Sequence, residues 1–192
     1  MSKGETVPGM DETTLVQRAR QLDRDAVSAL YRQHVQAIYR YVYYRVGDAS
    51  VAEDLTAEVF LRAIEGLPDY EPRGIPFVAW LYRIARARVV DHFRQQKRVE
   101  KVALDESFPS DGESPLAEAE RSFFHEDLKV ALRQLTPNQQ QVIILKFVEG
   151  LSNAEVAQIL GKTEGAVKSL QHRALNALNR LMGRLDEERG TR

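Results

Sequence analysis

The chain has 192 residues, with 27 Lys plus Arg against 28 Asp plus Glu, no Cys and 43% apolar residues, enough for one medium domain or two small ones. The absence of Cys excludes a disulfide framework, a zinc ribbon and thiol catalysis, and four His are too few for most metal sites. With neither a signal-peptide core nor a run of about 20 apolar residues, a soluble cytoplasmic protein is expected, with no metal, no cofactor and no membrane insertion; its net charge of −1 speaks against nucleic acid, whose partners are usually strongly basic.

Met1 to Met10 is a polar stretch, and segment 1–12 is expected to be disordered. From about Thr13 to Arg98 helical periodicity dominates and strand alternation is absent, which predicts an all-α fold. Val27, Leu30, Tyr31, Val35, Ile38, Val42 and Val46 form one stripe, which Gly47-Asp48 ends. Ser50 with Glu53 has the spacing of a capping box opening the next helix, whose inner face is Ala52, Leu55, Val59 and Ala63 and which Gly66 and Pro68 stop. After Pro72, Gly74 and Pro76 a long helix is predicted from Phe77 to Lys97, burying Phe77, Leu81 and Ile84. This closes a first helical domain over 13–98.

Periodicity fades over 99–116, where Asp, Glu, Ser, Pro and Gly predict an acidic flexible linker. A second small helical domain follows over 117–185, with a tail at 186–192. Its helix starts are Thr136-Pro137 with Gln139, Ser152 with Glu155, and Thr163; Gly150 and Gly161 sit where helix ends need them. The VIIL run at 142–145 is assigned to helix because a capped start precedes it and Gly150 follows. Charge is distributed unevenly: residues 1–72 carry 8 basic and 12 acidic side chains, 73–101 carry 8 and 2, 102–128 carry 1 and 8, and 129–192 carry 10 and 6. The near-zero total is therefore a sum of unlike blocks.

Ser152 to Leu160, the turn at Gly161, and Thr163 to Met182 have the shape of a helix-turn-helix, with Val156, Ala157, Leu160, Val167, Leu170, Ala174, Leu178 and Leu181 inward. Its second helix leaves Glu164, Lys168, Ser169, Gln171, His172 and Arg173 outward, able to reach base edges or phosphates. A helical hairpin with a polar surface is the plainer alternative. On the long helix, Arg83, Arg86, Arg94 and Lys97 fall within an arc of about 80°, with Arg98 beside it. Near Trp80, Tyr82 and Phe93 such a stripe suits melted nucleic acid, or is a solvated face over core aromatics, Trp80 fitting the core better. Asp91 is placed to pair with Arg88 or Arg94. On the helix after Ser50, Asp54 and Glu58 form an acidic edge, with Phe60 and Leu61 standing partly outside the inner stripe; a cationic partner or simple solvation would each account for it.

Three segments, AEDLTAEVFLRA at 52–63, FVAWLYRIARARVVDHFR at 77–94 and LTPNQQQVIILKFVEGLSNAEVAQILGKTEGAVKSLQHRAL at 135–175, together resemble the extracytoplasmic-function (group 4) sigma factors of the bacterial sigma-70 family. The resemblance implies a first domain (region 2) that binds core RNA polymerase and the −10 promoter element, and a second (region 4) that reads the −35 element. It places Asp54, Glu58, Phe60 and Leu61 in the core-polymerase-binding segment, the stripe of Arg83, Arg86, Arg94, Lys97 and Arg98 at the −10 region, and the helix from Thr163 at the −35 region. It also implies promoter DNA and an anti-sigma factor as partners, no catalytic residue, and a linker threading the polymerase. A coil of its roughly 18 residues spans only about 23 Å against about 60 Å when extended, so it would have to be stretched. Several positions depart from the family pattern: Ala87 stands where many members carry an Asn that reads a flipped-out base, Ala57 replaces a frequent Gln, and Ala166 and Leu170 replace Thr and Arg.

A two-domain helix-turn-helix regulator acting without polymerase is the rival, since response regulators share the LTP, GLSN and VK pattern; the first domain, which lacks a phosphoacceptor α/β signature, discriminates against it. An enzyme finds no support: no HExxH, Gly-rich phosphate loop or nucleophile motif is present.

Overall fold

A computed structural model of the chain describes residues 11–72, 74, 76–100, 128 and 130–190; the side chains of 97–100, 185, 186 and 188–190 fall outside that description. Regular structure among the described residues is entirely helical. Helix α1 (Glu12–Arg20) starts at Asp11, whose carboxylate accepts from the Thr14 backbone N–H at 2.9 Å. Helix α2 (Arg24–Val46) starts at Asp23, which accepts from the N–H groups of Asp25 and Ala26 and is gripped by the Arg18 guanidinium. That grip, with the backbone bonds, holds the Asp23 carboxyl below the usual carboxylate range.

Gly47 takes a left-handed φ of 78° and ends α2, a conformation open to Gly at little cost. Helix α3 (Ala49–Gly66) then begins at once. Its cap is Asp48, accepting from the Val51 N–H at 2.9 Å, and not Ser50, which lies inside the first turn. The sharp reversal at Gly47 leaves Asp48 extended with its side chain already over the helix start, so the predicted Ser50 box comes too late to cap it. Helix α4 (Phe77–Glu100) runs three residues beyond its expected end. The four helices pack α1 on α2, α2 on α3 and on α4, and α3 on α4. Ile38, Val42, Val59, Leu81 and Val89 are fully buried between them, each worth about 1.5–3 kcal/mol of transfer free energy. Five predicted inner positions are less enclosed: Val27, Val35, Val46 and Ile84 are half-buried, and Tyr31 is 46% exposed with its ring edge on Phe60.

The second half comprises α5 (helical residues 128 and 130–134), α6 (Pro137–Ile143), a π-helical turn (Ile144–Val148), α7 (Asn153–Leu160) and α8 (Glu164–Gly190). Thr136 donates its backbone N–H and its hydroxyl to the Gln139 side-chain oxygen at the start of α6. The expected helix through 142–145 is present, but from Ile144 its pitch widens: the Glu149 N–H reaches the Ile144 carbonyl at 3.0 Å, five residues back. One extra residue per turn rotates the chain beyond it by about 100° about the axis. Helix α8 continues through 186–190, the segment expected to be a tail. Ala131, Leu132, Leu135, Ile143, Ala174 and Leu181 form a small core of this half.

The two expected domains are not independent here, because they pack against each other. Val142, Ile144, Leu145, Val156 and Val167 belong to the same buried cluster as Tyr41 and Tyr82, with α7 lying on α4 and the π turn on α2. The predicted N-terminal segment up to residue 10 and linker residues 101–116 lie outside the described residues.

Candidate nucleic-acid interface

Ser152 and Glu155 start α7 with reciprocal bonds, the Glu155 N–H to the Ser152 hydroxyl at 3.2 Å and the Ser152 N–H to the Glu155 carboxylate at 2.7 Å. The hydroxyl lowers the Glu155 pKa first, ahead of the backbone N–H. Gly161 at φ 62° makes the tight turn, and Thr163 caps α8 by accepting from the Ala166 N–H at 3.2 Å. Val156, Ala157, Leu160, Val167 and Leu170 are buried where the two helices meet, and Ala174 and Leu181 are buried further along α8 in the small core of this half; Leu178 is half-buried. This is the predicted helix-turn-helix.

With Val167, Leu170 and Ala174 defining the inward side of α8, rotation by 100° per residue puts Lys168, Ser169 and His172 on the outermost strip. Glu164 and Gln171 lie on one flank of it and Arg173 on the other. The six candidates are exposed except Gln171, which is half-buried. Arg173 leans back on its own helix, its Nε donating to the Ser169 carbonyl at 3.4 Å, and the Asn176 amide meets the His172 ring at 3.3 Å. A strip of this kind offers a groove one cation on the strip itself, Lys168, and one flanking cation, Arg173.

On α4, Arg83 and Arg94 are exposed and Arg86 is half-buried; the side chains of Lys97 and Arg98 lie outside the described residues. Asp91 takes both expected partners, Arg88 at 2.6 Å and Arg94 at 3.8 Å. Trp80 packs on Tyr70 and Phe77, with ring centroids 4.6 and 5.5 Å away, and Tyr82 is 1% exposed. Neither ring is a stacking platform. Ala87 is exposed between Arg83 and Arg94, so no side-chain amide is available at that point to read a base.

The acidic edge of α3 is present as a ridge. Asp54, Glu58 and Leu61 are exposed, Leu61 to 61%, and at 100° per residue they fall within about 60° of arc. Phe60 corrects the expectation: it is 7% exposed and turned inward against Tyr31, ring centroids 4.8 Å apart. Its neighbours on the surface are Tyr31 and Ile64, 46% and 38% exposed; the sequence pattern placed Tyr31 in the inner stripe and did not single out Ile64. Ile64 could have been found, as an apolar residue outside the inner stripe one turn from Phe60 and Leu61.

A family profile described as Sigma-70 region 2 matches residues 30–99, and one described as Sigma-70, region 4 matches residues 125–178. The sigma factor SigX of Bacillus subtilis is 34% identical over 165 residues, covering 83% of this chain and 84% of SigX. The chain belongs to the ECF sigma factors of the sigma-70 family. In this sigma factor the acidic ridge and the α4 stripe lie within region 2, and the helix-turn-helix within region 4. BldN of Streptomyces coelicolor, also an ECF sigma factor, is 42% identical over 170 residues, covering 88% of this chain; the chain spans 64% of BldN's length. Among solved structures, RpoE of Bartonella quintana in complex with the anti-sigma factor NepR matches with a TM-score of 0.69 at 26% identity, covering 81% of this chain and 96% of RpoE. CnrH in complex with the cytosolic domain of CnrY shares the fold, with a TM-score of 0.68 at 24% identity, covering 90% of this chain and 97% of CnrH.

Proposed function

We propose that this chain is an alternative sigma factor that binds core RNA polymerase in the cytoplasm and directs it to a subset of promoters, catalysing no reaction itself. The observation that carries this is the presence of regions 2 and 4 on one chain, in order, each with an outward surface suited to its task. Asp54, Glu58 and Leu61 form the face offered to polymerase, with Phe60 acting from below by supporting Tyr31. Arg83, Arg86, Arg94, Lys97 and Arg98 hold the phosphates of the −10 region. On α8, Lys168 and His172 enter the −35 groove, Ser169 and Gln171 reach base edges, Arg173 takes a flanking phosphate, and Glu164 accepts from a base amino group where one is available.

The domains that suit this function are 13–98 and 117–185, with α4 running on to Glu100 and α8 to Gly190, joined by an acidic segment that is extended along the polymerase when both elements are engaged. The relative solved with the anti-sigma factor NepR supports an anti-sigma factor as a further partner. A regulator working without polymerase has no observation in its favour, since region 2 would have no task. Reconstitution with core polymerase on a supercoiled promoter library tests the proposal: a specific transcript is expected, and a chain that neither binds core enzyme nor yields one overturns it.

A further inference from the structure

The packing of the two halves is held by polar contacts that converge on Glu149. Its carboxylate is 3% exposed, accepts from Arg40 at Nε (3.2 Å) and Nη2 (2.8 Å), and accepts from the Tyr82 hydroxyl at 3.0 Å. Burial first, and the Glu149 charge second, push the Tyr82 phenol far above its ordinary range, so it keeps the proton it donates. Hydrogen bonding to Glu149 likewise raises the Arg40 pKa. Around this centre the Gln140 amide donates to the Tyr44 carbonyl at 3.2 Å, Gln141 meets the Tyr41 hydroxyl at 2.8 Å, and Arg133 donates to the Gly47 carbonyl at 3.0 Å. The π turn is what aims Glu149: with ordinary α spacing it would point about 100° away from Arg40.

The Glu149 side chain is buried while that of Arg40 is 49% exposed; breaking such a pair leaves a buried carboxylate without its partner, so it favours the one arrangement that keeps it. Apolar contact among Val142, Ile144, Leu145, Tyr41 and Tyr82 supplies the attraction, and Glu149 selects the register. In that register α4 and α7 touch, which places packed helix axes roughly 8–10 Å apart. Elements centred at −10 and −35 are separated by about 25 positions, roughly 85 Å along B-form DNA. The arrangement described therefore cannot serve both at once, even though the reading strip of α8 is exposed in it.

We propose that away from polymerase this sigma factor holds itself closed through a Glu149–Arg40–Tyr82 latch, and that opening the latch is a required step before both promoter elements can be engaged. This rests on the function proposed above only for its consequence; the closure itself is a property of the chain. Removing the latch raises the open-to-closed ratio by about tenfold or more, as expected for charge-assisted bonds, and apparent affinity for an open-state partner rises with the open fraction.

The full chain has no Cys, so spin labels can be placed at Asp69→Cys and Asn179→Cys, both exposed, and their separation measured by pulsed electron resonance. The expected result is one narrow distance for the otherwise unaltered chain, a broad and longer distribution for Glu149→Arg, and recovery of the narrow distance in Arg40→Glu/Glu149→Arg. Circular dichroism and melting of each variant confirm that both halves stay folded. Affinity for core polymerase should rise in Glu149→Arg, while affinity for an isolated −35 duplex should not change. A broad distribution in the unaltered chain, or a narrow one that Glu149→Arg leaves in place, overturns the latch. Loss of core binding in every version with distances as expected would instead remove the sigma-factor function and leave the latch standing.

Discussion

Replacing Lys168 by Ala gives the most quantitative test of the −35 surface. Lys168 is exposed on the outermost strip of α8, and Ala is the best helix former, so the variant keeps its fold and loses one cation. Each phosphate neutralised contributes about 0.9 to the slope of log K against log salt. The slope for the variant should thus be shallower by about 0.9, and the wild-type advantage should grow about 3.5-fold when salt falls from roughly 200 to 50 mM. At about 0.1 M the penalty is about eightfold, near 1.2 kcal/mol if counterion release is the whole effect. Arg173→Ala should show the same slope change with a smaller penalty, because binding must first free its Nε from the Ser169 carbonyl. The assay is fluorescence anisotropy of a labelled −35 duplex over a salt series. A large penalty that does not vary with salt would refute a phosphate contact by Lys168 and assign it to a base edge.

Charge reversal at Asp54 and Glu58, both exposed on α3, should abolish core-polymerase binding in a pull-down with the melting temperature essentially unchanged; retained binding would return the ridge to plain solvation. Leu22 sits at φ 58° and is 54% exposed, so Leu22→Asn relieves left-handed strain while giving up only part of one side chain's burial and should stabilise the protein by about 1 kcal/mol in urea denaturation. Ser152→Ala should cost about 1 kcal/mol by removing the α7 cap. The Glu155 pKa is lowered by that same cap, so its contribution is present above the unfolded value and is lost as pH falls through the folded one. Acid unfolding followed by circular dichroism should therefore show Ser152→Ala losing less than the wild type between about pH 5 and 3; equal losses would remove Glu155 from the account.

Much of this molecule is legible in the sequence because its determinants are local. The capped start at Ser152, the left-handed turn at Gly161 and the inward Val167, Leu170 and Ala174 are each set by residues within a few positions of one another. So is the pairing of Asp91 with Arg88 and Arg94. Errors arise where two local signals compete: Ser50 with Glu53 has the box spacing, yet Asp48 already occupies the cap. Phe60 is misplaced for a related reason. Its angle on α3 puts it at the margin of the inner stripe, and packing against neighbouring helices, with the ring of Tyr31 edge-on to it, turns that margin into core.

The contact between the halves has no local signature at all. Arg40 and Glu149 are 109 residues apart, and Glu149 viewed alone is a Glu before a Gly at the end of an apolar run. Its direction depends on a change of helical pitch at Ile144, which no hydrophobic period reveals. The near-zero net charge acquires a physical sense from this contact. A chain made of opposed charge blocks can bury one well-placed carboxylate against one guanidinium and still leave the cations proposed to meet nucleic acid, Arg83, Arg94, Lys168 and Arg173, exposed. A uniformly basic chain with the same DNA affinity would repel itself at the contact between α4 and α7. The acidic side chains are thus what permits two basic surfaces to be carried on halves that pack together, and the arrangement can yield only when a partner, polymerase or DNA, binds the open form more tightly than the closed one.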